Sequence, residues 1–424
     1  MDLARLDVIK PKHIYIILGV IFLILYIYLM LTDPPRHDVV LFQKYAEMFK
    51  AGTLFNSGVV SGYPPLAWIF IIVPGLFTSD LQSYYEVFAA VDVVCMFLIG
   101  VLLYRICKDR TKYPLILLAI YVIITVIYSD HAVRKFDIIP VLFMMVSIYL
   151  FLEKKKYSWA VIVALLGGLI KYFPALLIPI FIFMVMKDRE ALKDTMKGFV
   201  ICIVLGVAAV AALILSGTMD FASLLGFISS QDARGFHIES TVGTTSVVIC
   251  HLMGMPTDYV PSTDFTVDVD NAICNAMIGW WMYLFYALVI LSFALFFITQ
   301  YRKRCEDEED FYKYLTASSL AMILVFILFN KVFSTQFIQW FYPLLIMFLC
   351  YREPREGLVL SVLTIAISAL SRYFLNTESQ EIMLLRDILL FVMMFLAFRY
   401  VITRKWSLGL DEERPPIEEP AVSE

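Results

Sequence analysis

The chain has 424 residues, 61% of them hydrophobic and only 17% charged, with a mean hydropathy of +0.80. That balance excludes an ordinary soluble domain and describes a polytopic membrane protein. The formal net charge of -4 says little about partners, because the placement of Lys and Arg matters more than their sum, and no basic patch suited to nucleic acid is present.

Apolar runs fall at 13–31, 84–104, 113–128, 137–152, 158–170, 173–186, 199–215, 276–299, 315–329, 337–351, 357–373 and 382–402. They predict an all-α polytopic membrane protein of about twelve transmembrane helices, several shorter than the roughly 20 residues of a perpendicular span. With the N-terminus in the cytoplasm, Arg5, Lys10 and Lys12 lie inside. So do the loops Arg105 to Lys112, Lys154 to Lys156, Lys187 to Lys197, Arg302 to Lys313 and Arg352 to Arg355, as the bias of basic residues toward the cytoplasm requires. This parity holds if Leu66 to Phe77, short and broken by Pro74-Gly75, lies in the outer interface instead of crossing.

The first helix is read as retained, since Asp33-Pro34-Pro35 follows it in place of a small-residue cleavage site. The transmembrane domain is expected over residues 1–405, with outer loops 32–83 and 216–275 and a disordered, acidic, proline-rich cytoplasmic tail over 406–424. Both termini are placed in the cytoplasm. The cytoplasmic loops hold no glycine motif for a nucleotide, so the chemistry is expected outside.

In the first outer loop, Val39, Phe42, Ala46 and Phe49 recur at helical spacing, with Gln43, Lys44, Glu47 and Lys50 between them. That pattern predicts an amphipathic helix on the membrane surface. Asp38 stands at its start and has two readings: an N-cap, or a general base that takes a proton from an acceptor hydroxyl. Asp92, within the second apolar run, is a choice between a helix–helix hydrogen bond and function, and is left out of the site.

The outer turns carry the remaining polar groups. Arg134-Lys135-Phe136-Asp137 is either a salt-bridged helix start or positive charge for a phosphate, oriented by Asp137. Lys171, between two apolar runs, either snorkels to the headgroups or meets an anionic partner. In the long loop, Gln231-Asp232-Ala233-Arg234-Gly235-Phe236-His237-Ile238-Glu239 is a solvated loop or a cover reaching over a site. Asp258, Asp264, Asp268 and Asp270 lack calcium-loop spacing, and His237 and His251 stand far apart, so no metal is expected. Cys250 and Cys274 share the oxidising side and are candidates for a disulfide. The segment from Asn330-Lys331-Val332 through Ser334, Thr335, Gln336 and Trp340 sets amides, hydroxyls and an ammonium between apolar runs. Each such group near hydrocarbon needs a partner or water, so the cluster reads as a site. Arg372 ends a helix at the interface or joins the same cations. Tyr63, Tyr172, Trp340 and Tyr342 serve as interface anchors or as stacking surfaces for a sugar.

The order of an Asp just after the first membrane helix, an amphipathic helix ending near Gly52, and Tyr63-Pro64-Pro65-Leu66 leading into an interfacial helix resembles the first loop of the GT-C superfamily of integral membrane glycosyltransferases. Gly168-Leu169-Ile170-Lys171-Tyr172-Phe173-Pro174 and Asn330-Lys331-Val332-Phe333-Ser334-Thr335-Gln336-Phe337-Ile338-Gln339-Trp340 are similar to stretches of glycosyltransferase family 87 and of the GPI mannosyltransferase I catalytic subunit. The eukaryotic enzyme has an Asp-x-Asp pattern in its first loop, whereas here Asp38 stands alone and Pro34-Pro35 lies between it and Asp33.

The resemblance implies transfer of a sugar, mannose above others, from a polyprenyl-phosphate donor such as dolichyl phosphate mannose to a lipid or glycan acceptor. It places the reaction on the face opposite the cytoplasm. Such a donor carries its own leaving group and needs no nucleotide pocket or cofactor. An inverting transfer then needs one carboxylate and cations for the departing phosphate. On this reading Asp38 is the base, and Lys331, Lys171, Arg134 and Lys135 hold the phosphate, with Arg234 and Arg372 as further candidates. Tyr63, Pro64, Tyr172, Asn330, Ser334, Gln336 and Trp340 line the pocket. Without an Asn-x-Ser/Thr sequon, a prokaryotic plasma membrane is the expected location. The alternatives are a secondary transporter, against which the lack of internal repeats counts, and an outer-face polysaccharide polymerase or ligase.

Overall fold

The structure is a computed structural model that describes residues 10–54, 63–215, 234–263 and 266–409. The predicted tail from 410 onward, the part of the long loop before Arg234, and Asp264 lie outside the described residues. Fifteen helices follow one another among them. They are α1 (Pro11–Thr32), α2 (Asp38–Lys50), α3 (Ala67–Phe77), α4 (Leu81–Cys107), α5 (Pro114–Ala132), α6 (Ile138–Leu152), α7 (Tyr157–Ile170), α8 (Leu177–Val185), α9 (Arg189–Leu215), α10 (Thr241–Met253), α11 (Ala272–Arg302), α12 (Glu308–Leu328), α13 (Ile338–Phe348), α14 (Pro354–Thr377) and α15 (Gln380–Thr403).

Each predicted apolar run lies on a helix, but the lengths are unequal. Among the described residues six helices, α1, α4, α5, α11, α12 and α14, are long and apolar enough to cross a bilayer. Of the roughly twelve transmembrane helices expected, several of them short, these six have the length and the apolar character, and shorter apolar helices accompany them. α15 has the length, but Arg386, Asp387 and Arg399 interrupt its apolar character. A helix of 15 residues such as α6 rises only about 22 Å, short of the ~30 Å hydrocarbon layer. Its neighbours supply the rest of the wall.

Burial shows which faces meet protein and which meet lipid. α13 is buried along its whole length, and α12 is nearly so, so this pair forms the centre, packed against α4, α5, α6 and α15. α1 buries one stripe, Ile14, Leu18, Phe22, Leu25 and Leu29, at a spacing of three to four residues. Its opposite face leaves Ile16, Ile17, Leu23, Ile24 and Leu31 exposed. Such an uncovered apolar face suits hydrocarbon and not water.

Two helices follow α1 as expected, but only α2 is amphipathic, while α3 is apolar throughout. Val39, Phe42 and Ala46 of α2 face inward, and α3 lies against it with Ile69, Val73, Leu76 and Phe77 uncovered. The long loop also holds a feature absent from the all-helical expectation: an antiparallel sheet in the order β1-β3-β2, from β1 (Phe236–His237), β2 (Asp258–Thr263) and β3 (Thr266–Asp270). Phe236 pairs with Val269 in its register.

The ionised groups separate to two ends. At the basic end, Arg110 pairs with Glu153 at 2.6 Å and Arg404 donates to Gln300 at 2.9 Å and to the Lys303 carbonyl at 2.8 Å. There the start of the predicted tail is packed, not loose. Trp406 is buried beneath the Arg352 guanidinium at 4.1 Å, and Glu356 accepts from Ser407 and Gly409 at 2.8 and 3.0 Å. The opposite end gathers the predicted site residues.

Candidate active site

The site begins where α1 stops. The Asp33 carboxylate accepts the Tyr85 hydroxyl at 2.7 Å, pairs with the Arg134 guanidinium, and meets Arg36 at 3.4 Å. With Asp33 and Arg134 both buried, this knot joins the first loop to α4 and to the turn between α5 and α6, and an uncompensated partner there would be costly. The chain then reaches His37, whose φ of 57° turns it into α2. His37, not Asp38, occupies the N-cap, and no side chain caps the helix. Asp38 instead meets the Lys135 ammonium at 2.5 Å, on the first turn of α2, where the helix dipole also favours a carboxylate. Burial lowers the His37 imidazole below its ordinary value, aided by Lys135 and Arg36 and opposed by Asp38.

Two residues after Lys135, the Asp137 carboxylate accepts from the Lys171 ammonium at 2.6 Å and from the Trp340 indole at 2.7 Å. Lys171 caps the C-terminal end of α7 and sits 5.1–5.3 Å from the Phe136, Phe337 and Trp340 ring centres. This cage is cation–π in character. Trp340 in turn stacks on Phe337 at 3.9 Å and Phe173 at 4.4 Å. The motif around Gly168 makes this approach feasible: a Cβ there would stand 2.7 Å from the Ala175 Cβ, so a larger residue would pry the Phe173–Leu176 3-10 turn from α7 and displace Lys171.

The third wall is the long loop. Lys331 is buried and its ammonium donates to the Arg234 carbonyl at 2.9 Å, while the Lys331 carbonyl accepts from His237 N–H at 3.0 Å. The Glu239 carboxylate takes both the N–H and the hydroxyl of Thr335, and the Glu239 carbonyl accepts from Arg386 at 3.2 Å. The loop from Arg234 to Glu239 thus lies fastened over the Asn330–Thr335 turn. Burial lowers His237, with Glu239 opposing, and its Nδ1 accepts from Glu239 N–H at 3.2 Å. Burial also lowers Arg234, with Asp268 and Tyr63 acting in the opposite sense.

Tyr63 links these walls. Its ring packs on Phe136 at 5.5 Å, Trp68 at 5.7 Å and Phe42 at 5.9 Å. Burial raises its phenol well above the ordinary range, and Asp38, Asp137 and Arg234 all act on it electrostatically. Asp38, Lys135, Arg134, Lys171, Tyr63 and Trp340 are therefore brought together, with Lys331 behind the Arg234 loop. Pro64 is buried at the base of α3, and the Leu66 N–H bonds to the Leu169 carbonyl at 3.0 Å. Asn330 turns inward to cap the Val332 N–H at 2.9 Å, and Ser334 and Gln336 are half-buried in the same turn. Tyr172, between Lys171 and Phe173, is 36% exposed.

Several expectations change. Arg372 does not simply end its helix, but pairs with Asp130 at 2.9 Å. Cys250 and Cys274 are free, buried thiols, and the Cys274 sulfur lies 3.1 Å from the Ser246 hydroxyl. Asp92 is fully buried, yet neither carboxylate oxygen has a hydrogen-bond partner, so of its two readings the helix–helix bond is not formed. Asp33, Glu239 and Thr335 were not singled out for roles by sequence reasoning. Their partners lie about 100 residues away along the chain, and no local pattern marks such a pair.

The architecture defines a class: a polytopic helical membrane protein with charged and aromatic side chains converging at one end. The family model of glycosyltransferase family 87 matches residues 62–326, and the chain belongs to that family. It is thus a membrane-embedded glycosyltransferase. The matched stretch includes Tyr63, Arg134, Lys135 and Lys171, whereas Asp38 and the Asn330–Trp340 segment fall outside it. No curated protein and no solved structure matches the chain.

Proposed function

We propose that this glycosyltransferase moves a hexose, mannose in our reading, from a polyprenyl-phosphate donor to a lipid or glycan acceptor, with inversion, on the outer face of the plasma membrane. The observation that carries the reading is the Asp38–Lys135 pair standing with the Asp33–Arg134 and Asp137–Lys171 pairs in one aromatic-walled cluster at the ends of the helices. The gathering of Arg105, Arg110, Arg352 and Arg404 at the opposite end supports the sidedness, because basic residues favour the cytoplasm.

Asp38 accepts the proton of the acceptor hydroxyl as its oxygen attacks the anomeric carbon. The bond from that carbon to the phosphate oxygen breaks, and its electron pair leaves on the polyprenyl phosphate. Cations already fixed by packing stabilise that charge without reorganising. Lys171, Lys135, Arg134 and Lys331 supply the positive field, and Tyr63 and Trp340 offer flat surfaces for the sugar. Asn330, Ser334, Gln336 and Pro64 shape the turns around it.

The test is transfer of radiolabelled mannose from polyprenyl phosphate by purified protein, with a membrane lipid extract as acceptor. Asp38→Asn keeps the size and the Lys135 contact but removes the base, so turnover should fall by about 10²–10⁴-fold while folding is retained. Unchanged turnover would remove Asp38 from the mechanism.

A further inference from the structure

The cations at the site differ in what they have left to offer a ligand. Arg134 is joined to Asp33, Lys135 to Asp38 at 2.5 Å, and Lys171 to Asp137 at 2.6 Å. Arg372 is joined to Asp130 at 2.9 Å, and Arg386 to Asp387 at 2.6 Å. Each of these cations has a carboxylate in contact, so it adds to the field of the site through donors that are already engaged. The Lys331 ammonium donates to a main-chain carbonyl, that of Arg234.

Arg234 is the exception. Its Nε and Nη2 atoms are buried and have no hydrogen-bond partner. Asp268 acts on it electrostatically, but the Asp268 Oδ2 atom accepts from the Gly235 N–H at 2.9 Å and Oδ1 makes no hydrogen bond. Among the described residues no group hydrogen-bonds these two N–H groups, although desolvated N–H groups are normally paired. The backbone beneath it is nonetheless held firmly. Lys331 grips the Arg234 carbonyl, the His237 N–H returns to the Lys331 carbonyl at 3.0 Å, and Thr335 holds Glu239. Tyr63 lies within electrostatic reach of both Arg234 and Asp38. A rigid, desolvated fork with open N–H groups fits an oxyanion that arrives with the substrate.

We propose that Arg234 is the ligand of the donor's phosphate, and that Lys331 is a positioning residue that sets Arg234 through its carbonyl. This rests on the reading of the site as one for a polyprenyl-phosphate sugar. Two parallel N–H···O bonds from the guanidinium to non-bridging oxygens hold the phosphate in the donor. They strengthen as the bond to the anomeric carbon breaks and the electron pair passes to the phosphate oxygen.

The test uses the full chain in nanodiscs and measures binding of a short polyprenyl phosphate, of the matching polyprenol, and of inorganic phosphate as competitor. The wild-type protein should prefer the phosphate to the alcohol. Arg234→Gln should lose at least tenfold of that preference. Arg234→Lys, which keeps charge but not the fork, should fall between the two and covers the case of a poorly folded Gln variant. Lys331→Met should raise the donor KM more than it lowers kcat, and Lys331→Arg should recover part of the loss.

A folded Arg234→Gln or Arg234→Lys variant with wild-type preference would overturn the role of Arg234 and leave the reading of the site intact. Wild-type protein with no preference for the phosphate would overturn both. Inorganic phosphate competing as well as the lipid would assign the pocket to a free anion and overturn the donor role. Loss of turnover in Asp38→Asn reports on the reading of the site alone.

Discussion

At the level of single residues, ionisable groups stood out in the sequence because the surrounding chain is apolar, and Asp38, Lys135, Asp137 and Lys171 share one end of the fold. Asp38, Lys171 and Lys331 were legible for that reason. Their partners were not: Asp137 meets a lysine 34 positions away and a tryptophan 203 positions away, separations that only the packed helices bring together. His237 shows what such placement does to pH response. It is 3% exposed, and burial lowers its folded-state value, as burial also lowers His37. Above about pH 6.5 both states hold these imidazoles neutral, and their contribution to stability is fully present. As pH falls below that value the unfolded chain takes up protons first, so stability is lost. Thermal unfolding in detergent should show a midpoint that declines from pH 7 toward pH 5. His237→Asn, whose Oδ1 stands in for Nδ1, should flatten part of that slope; an unaltered slope would clear His237 of the effect.

At the level of elements, periodicity marked α2, while α3 was marked by a short apolar run broken by Pro74-Gly75. The small sheet escaped notice because its strands are short and carry Asp258, Asp268 and Asp270, which read as turn residues. The contact between α2 and α3 depends on Gly75. A Cβ there would lie 2.3 Å from the Ala46 Cβ, a distance that atoms do not adopt, so the two helices must separate to admit it. Gly75→Ala is expected to destabilise by about 1–3 kcal/mol. It should also lower turnover, because α2 carries Asp38. Adding Ala46→Gly should recover much of both losses; a melt and an assay of the double variant measure the coupling. Independent, additive losses would show that the contact does not set the position of α2.

For the molecule as a whole, the twelve apolar runs marked the helices, but hydropathy could not tell a full crossing from a short helix sheltered by neighbours. That distinction lies in burial: α13 is covered on every side whereas α11 leaves Tyr283, Ile290 and Leu291 uncovered. The proposed sidedness is checked in a cysteine-free background with a membrane-impermeant maleimide. Lys44→Cys, exposed on α2, should label in intact cells, and Lys108→Cys, exposed at the basic end, only after lysis. The reverse pattern would invert the topology. Cys95, Cys107 and Cys350 are buried, so their removal calls for small apolar replacements.

The cluster sits where α1 ends and where α6 and α13 begin, at helix ends and not at mid-helix. A polyprenyl tail is costly to lift into water, about 0.8 kcal/mol for each methylene, and an enzyme with a deep central chamber would have to engulf such a tail. On the proposed reading, with these helix ends at the membrane border, the isoprene units stay dissolved among acyl chains throughout the cycle while only the head group reaches Asp38. Docking and release then become lateral diffusion in two dimensions, and turnover should respond to the donor's mole fraction in the bilayer and not to its bulk concentration.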